Sequence, residues 1–201
     1  MPFILCASLL VADGPALQLR ASGVGAAAAV TPMTIELWRW STDTERATLV
    51  TAFSAPPAAP KPAAAGRAGR GARGAPTAAP PPSPLERLTT AINAAPTVGF
   101  IWSDAPTGYS VKYAWRAASP DGHERVILAI ARRLGANSMS WPQAVGAAAA
   151  AEFTVMEMRI DDKGLGEAKT SLTLPVVVDA EAKTLALDAY ADAPALLKVT
   201  R

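Results

Sequence analysis

The chain of 201 residues holds one cysteine, Cys6, and one histidine, His123. No internal disulfide can form, and zinc sites built from Cys and His at the usual ligand spacings are excluded. Aromatic residues are few, at 6% of the chain. No apolar run approaches the roughly 18 residues that a membrane-spanning helix needs. A phosphate-binding Gly-rich loop, a G-x-S-x-G nucleophile elbow and an H-E-x-x-H metal motif are all missing. His123-Glu124 lacks the second histidine of a zinc protease motif and follows a turn, where a solvated side chain is the default. Asp161-Asp162 is followed by Lys163 and reads as a plain turn rather than a calcium loop. Glu152 and Glu157 are an odd number of residues apart, so one strand cannot pair them as a glycosidase dyad. No cofactor is implied, and the reading leans away from an enzyme.

Charge is also slight. The net charge is +2, yet residues 54–82 alone carry Lys61, Arg67, Arg70 and Arg73 and no acid, so the remainder is −2. The basic character belongs to that one segment and not to a basic face on a fold, which argues against nucleic acid as a partner of the whole protein.

The segment itself, SAPPAAPKPAAAGRAGRGARGAPTAAPPP, holds 11 Ala, 8 Pro, 4 Gly and 3 Arg. It has no aromatic and no branched aliphatic side chain, so burial cannot offset the entropy of ordering it. It reads as a disordered insertion in a single β domain covering residues 13–201. Gly69–Gly74 matches G-x-G-x-x-G by spacing, but no strand leads into it and no helix follows. RNA contact through residues 66–74 is the weakest functional alternative, because three arginines without aromatics make a poor stacking surface.

At the other extreme of composition, Phe3–Ala12 is an apolar run ending at Asp13-Gly14-Pro15. It has the form of a secretion-signal core over residues 1–12, without the usual positive residues before it. A secreted or periplasmic protein is expected. The alternative is a first strand in a cytoplasmic protein.

The insertion is bracketed by helix signals. Thr42 with Glu45 forms a capping-box pattern ahead of Leu49 and Phe53. Ser83, Pro84 and Glu86 supply an N-cap, a first-turn proline and a second box, followed by Leu85, Leu88 and Ile92 on one face. Elsewhere the period is two. Strands are expected at 16–25, 33–40, 97–102, 109–116, 123–133, 151–160, 166–178, 184–190 and in the last residues. In 109–116 the alternation places Tyr109, Val111, Tyr113 and Trp115 on one face. In 123–133 both faces are apolar, so that strand is expected to be covered on both sides. Pro120-Asp121-Gly122 makes the hairpin turn between them. The Ala-rich 144–151 reads as a loop. The fold class is therefore mainly β with minor α: an antiparallel meander of about eight strands, closed as a barrel or packed as a sandwich, with a short helix pair inserted after the second strand.

Four stretches, RWSTDTER (39–46), DGHERVILA (121–129), FTVMEMRID (153–161) and GLGEAKTSL (164–172), resemble the markers of a group of small exported bacterial proteins of unknown function. The resemblance spans about residues 19–46 and 83–200. It implies export and a shared β fold, and no activity.

The chemical feature that stands out is aromatic. Trp38, Trp40, Trp102, Tyr109, Tyr113 and Trp115 lie on strands or at their ends. Two readings stand: they fill the interior of the β core, or some of them line a cup in a barrel mouth that accepts an apolar small molecule. In the second reading Arg116 or Arg125 anchors an anionic end of the ligand. The most economical function is a non-enzymatic exported domain with a binding or envelope role. The alternative is an enzyme whose site is assembled from scattered residues.

Overall fold

The computed structural model describes residues 14–56, 80–103, 108–119, 121–136 and 138–201. The signal-like residues 1–12 with Cys6, the greater part of the insertion with its 66–74 segment, and Pro120 lie outside the described residues.

Eight strands close into an antiparallel barrel. They are β1 (Leu17–Gly23), β2 (Met33–Leu37), β3 (Gly99–Trp102), β4 (Tyr109–Ala118), β5 (Glu124–Ile130), β6 (Thr154–Ile160), β7 (Leu165–Thr170) and β10 (Leu197–Thr200). Their order around the wall is β1-β10-β7-β6-β5-β4-β3-β2, back to β1. Consecutive strands are neighbours except where the hairpin β8 (Val176–Asp179) and β9 (Thr184–Leu187) leaves the wall between β7 and β10. Residues 166–178, expected as one strand, are two, because Ser171–Pro175 turn the chain out of the barrel. The Ala-rich segment forms a short 3-10 turn at Gly146–Ala150.

The barrel is closed and filled. Leu19, Ile35, Leu37, Ile101, Leu128, Ile130, Met156 and Met158 are all at or below 1% exposure and form one aliphatic cluster. Leu134 and Trp141 join that cluster from the loops after β5. Side chains of this size fill the interior of an eight-stranded barrel.

Outside the wall, α1 (Asp43–Ser54) and α2 (Pro84–Ala94) follow β2, and with β8–β9 they form a second layer. Leu49, Leu88 and Ile92 pack with Ile127, Ala129, Phe153 and Val155 on the outer side of β5 and β6. This explains the two apolar faces of β5: Val126, Leu128 and Ile130 point in, and Ile127 and Ala129 point out under the helices. Arg87 ties the helices together, donating to the carbonyls of Ala52 (3.0 Å), Phe53 and Ala55 at the end of α1 and to Pro82 (2.6 Å) before α2. Among the described residues no helix is long and apolar enough to cross a membrane.

Both helix starts are as expected. Thr42 and Ser83 accept from the backbone N–H of Glu45 and Glu86, and each glutamate accepts from the cap backbone in return. Glu45 also takes a two-pronged bond from Arg39, at 2.8 and 2.9 Å. The Arg39 hydrogen bonds, aided by Thr42, lower its pKa from 4.5 to about 2. A carboxylate held below its ordinary value stabilises the fold above that value and stops doing so as pH falls through the lowered one. In urea unfolding, Glu45→Gln is therefore expected to cost about 1 kcal/mol at neutral pH. The difference from wild type should shrink as pH falls from 4.5 towards about 2. A difference constant over that window would reject the assignment.

Candidate functional site

A cleft of about 670 Å³ lies outside the barrel mouth, at the end where β3 and β5 finish and β4 and β6 begin. After Ile130 the chain leaves the wall because Leu134 turns inward to plug the interior. The Leu134 N–H donates to Thr154 Oγ1 at 2.9 Å, and that hydroxyl donates to the Arg132 carbonyl at 3.2 Å. This fixed backbone carries Arg132 and Arg133 into the lining of the cleft. Asn93 of α2, Tyr109 at the start of β4, and Glu152 ahead of β6 also line it.

The partners decide what these groups are free to do. Arg133 spends one N–H on the Ala149 carbonyl at 2.6 Å. Arg132 is exposed, and its guanidinium has no hydrogen-bond or ion-pair partner among the described residues. The side chains of Asn93, Tyr109 and Glu152 are likewise without partners among the described residues. Two guanidinium groups, an amide and a phenol in one concavity can hold a carboxylate or phosphate by charge-assisted hydrogen bonds. The carboxylate of Glu152 can accept from a hydroxyl or amine on the same molecule.

One wall of the cleft is Gly108. A Cβ there would lie 2.8 Å from two ring atoms of Trp102, so the indole packs directly on the glycine backbone. Beyond it, on the outer side of the barrel, the ring of Phe100 is 5.1 Å from Trp102 and 5.6 Å from Trp38. Trp38 is 51% exposed and Trp102 43%. No helix side chain joins these three rings in the core clusters.

The six aromatic candidates thus divide. Trp38 and Trp102 join through Phe100, which the sequence reading did not single out, although it occupies the intervening outward position of β3. Tyr109 lines the cleft beside Gly108. Trp40 packs at the edge of the interior cluster beneath the Arg116 guanidinium, 4.7 Å from the ring centre. Tyr113 is buried in the outer layer, its hydroxyl 2.6 Å from Thr184 Oγ1, and burial pushes its pKa up to about 12. Trp115 packs against that same layer. The six neither fill the interior nor surround a single volume.

The two suggested anion anchors are engaged elsewhere. Arg116 stacks on Trp40 and pairs with Glu124 at 3.3 Å. Arg125 lies between Glu157 (2.8 Å) and Asp179 (2.6 Å). Burial opposes the charge of Arg125, but the hydrogen bonds it donates to Glu157 and Asp179 outweigh it and raise the pKa. Asp179 is held below its ordinary value by the Ala182 backbone N–H and by Arg125. This network fastens β8–β9 to the barrel. His123 lies beside Asp121, at 3.3 Å, on a half-exposed turn. Among the described residues no group of three His, Cys, Asp or Glu side chains could hold a metal ion.

A second, apolar groove of about 320 Å³ runs between the helix ends and the β7–β8 turn, lined by Phe53, Leu85, Phe153, Leu174 and Val176.

No family model matches this chain, and neither the curated proteins nor the solved structures contain a significant match to it.

Proposed function

We propose that the protein is a non-enzymatic binding domain whose site is the cleft outside the barrel mouth, and that its ligand is a small organic anion. The observation that carries this reading is Arg132: a guanidinium without a partner among the described residues, in a cleft of about 670 Å³ beside Tyr109 and Asn93, whose side chains are likewise without partners there, next to a barrel with a filled interior. Such a concavity with a few convergent polar groups is the ordinary form of a ligand site. Export belongs to the same reading. It rests on Phe3–Ala12 and on the resemblance to exported bacterial proteins.

The test is a backbone NMR titration with benzoate, citrate and glucuronate. Shifts should concentrate at residues 89–93, 108–109 and 131–138 for at least one of them. Arg132→Ala should weaken that ligand roughly tenfold, the usual worth of a charge-assisted contact. Shifts scattered over the surface, or unaltered in the variant, reject the cleft.

A second reading follows from the apolar groove at Phe53, Leu85 and Phe153, which fits an apolar small molecule. Nile red fluorescence enhanced by the protein and abolished in Leu85→Asp favours it.

A further inference from the structure

The exposed rings outside the barrel are continuous with the cleft, and this carries the reading further. Trp102 forms the back of the Gly108 wall, and Phe100 and Trp38 extend from it in steps of 5.1 and 5.6 Å. Neighbouring rings tilt by 32° and 54°, so the surface is a twisted strip rather than a flat plate. Solvated aromatic side chains in a row are unfavourable in isolation and mark an interaction surface.

The side chains between the rings narrow the class of partner. Strand register places Glu36 opposite Phe100 on one side and Ser110 opposite it on the other, and Thr34 opposite Trp102. Each apolar ring face is thus flanked by hydrogen-bonding groups. Pyranose rings present that combination, with an apolar C–H face that lies on an aromatic ring and hydroxyls around the rim. Single-stranded nucleic acid also stacks on aromatic rings, but its phosphates call for a basic track along the strip. Here the strip carries a carboxylate, Glu36, at its middle. Cationic groups flank the strip without running along it: Arg20 of β1 pairs with Thr34 one strand away from Trp102, and Arg132 and Arg133 line the cleft.

We propose that strip and cleft together bind an acidic glycan, with carboxylate-bearing sugars spaced by neutral ones. A carboxylate lies against Arg132 and Arg133 in the cleft, and the following sugars pack on Trp102, Phe100 and Trp38. This rests on the cleft reading above and adds a chain-like, saccharide ligand to it.

Calorimetry on the full chain separates the two. The probes are glucuronate, a hyaluronan hexasaccharide, the neutral chitohexaose and a single-stranded oligothymidylate. The hexasaccharide should bind more tightly than glucuronate, and more tightly than chitohexaose. Trp38→Ala lies at the far end of the strip on an exposed side chain. It should weaken the hexasaccharide about tenfold or more and leave glucuronate unchanged. Trp38→Phe should restore part of the loss. Arg132→Ala should weaken both acidic sugars. The glycan proposal is overturned by an unaltered hexasaccharide affinity in Trp38→Ala, by a hexasaccharide no tighter than glucuronate, or by tighter binding of the oligothymidylate. If glucuronate binds and Arg132→Ala leaves it unchanged, the cleft reading falls as well.

Discussion

Glu157→Ala is expected to lower the unfolding free energy by about 3–5 kcal/mol, the scale for breaking a buried ion pair from one side. Glu157 is fully buried in β6 beneath the β8–β9 hairpin. One carboxylate oxygen accepts from Arg125 Nε at 2.8 Å and the other from the Leu187 backbone N–H at 3.0 Å. Removing the carboxylate leaves that N–H without its acceptor inside the protein and leaves Arg125 to Asp179 alone. Lys169, 3% exposed, stands opposite Glu157 in the β6–β7 register and loses its facing negative charge. For a domain of this length the melting temperature should fall by about 10 °C. The loss should be local first: hydrogen exchange at 176–187 should accelerate before exchange in β5 and β6. Replacing Glu157 and Arg125 together by apolar residues should cost less than the two single replacements summed, because no charge is left without its partner. A single-variant loss below about 1 kcal/mol would show that the network is looser than its distances imply.

That network also illustrates where sequence patterning stops. In the chain Glu157 is an acid at an outward position of a strand, which reads as a solvated side chain. What buries it is a hairpin formed some 20–30 residues later, and no local period reports such a contact. Helix starts were legible because their chemistry is local: Thr42 with Glu45, and Ser83 with Pro84 and Glu86, satisfy their own backbone groups within four residues. The strands were legible by period two, and so was the double burial of β5. The faces of β4 were not. Val111 pairs with Ile130 and Tyr113 with Ala129, so an extra residue at Lys112 bulges the strand and reverses its phase. Val111 points into the barrel while Tyr113 and Trp115 join the outer layer. A bulge moves every following side chain to the other face, and alternation read straight through it places the aromatics wrongly. The cleft was illegible for a further reason. Arg132 and Glu152, read as parts of strands 123–133 and 151–160, lie just beyond the ends of β5 and β6, and only barrel closure brings them to the side of Asn93 and Tyr109.

A close approach of two wall strands falls at a glycine that period-two reading passes over. Gly99→Ala is expected to destabilise the protein by about 3 kcal/mol, the upper end of the usual cost of overpacking, or to prevent folding. Gly99 opens β3, facing Leu37 of β2 on one side and Val111 of β4 on the other. A Cβ there would lie 2.9 Å from Leu37 Cα and 2.6 Å from Leu37 Cδ2, and closer still to the Glu36 carbonyl oxygen. The obstacle is mostly backbone, and β2 cannot retreat, because Leu37 and Glu36 are paired on their other side with Leu17 and Gln18 of β1. Glycine inside a strand commonly marks such a close approach. Relief therefore has to come from β3, which carries Phe100 and Trp102, so a folded Gly99→Ala should also show altered tryptophan fluorescence. Gly14→Ala is the control, since a Cβ there meets nothing within 4 Å, and it should match wild type in both measurements. A Gly99→Ala protein with unchanged melting temperature would mean that β2 and β3 approach less closely than the structure places them.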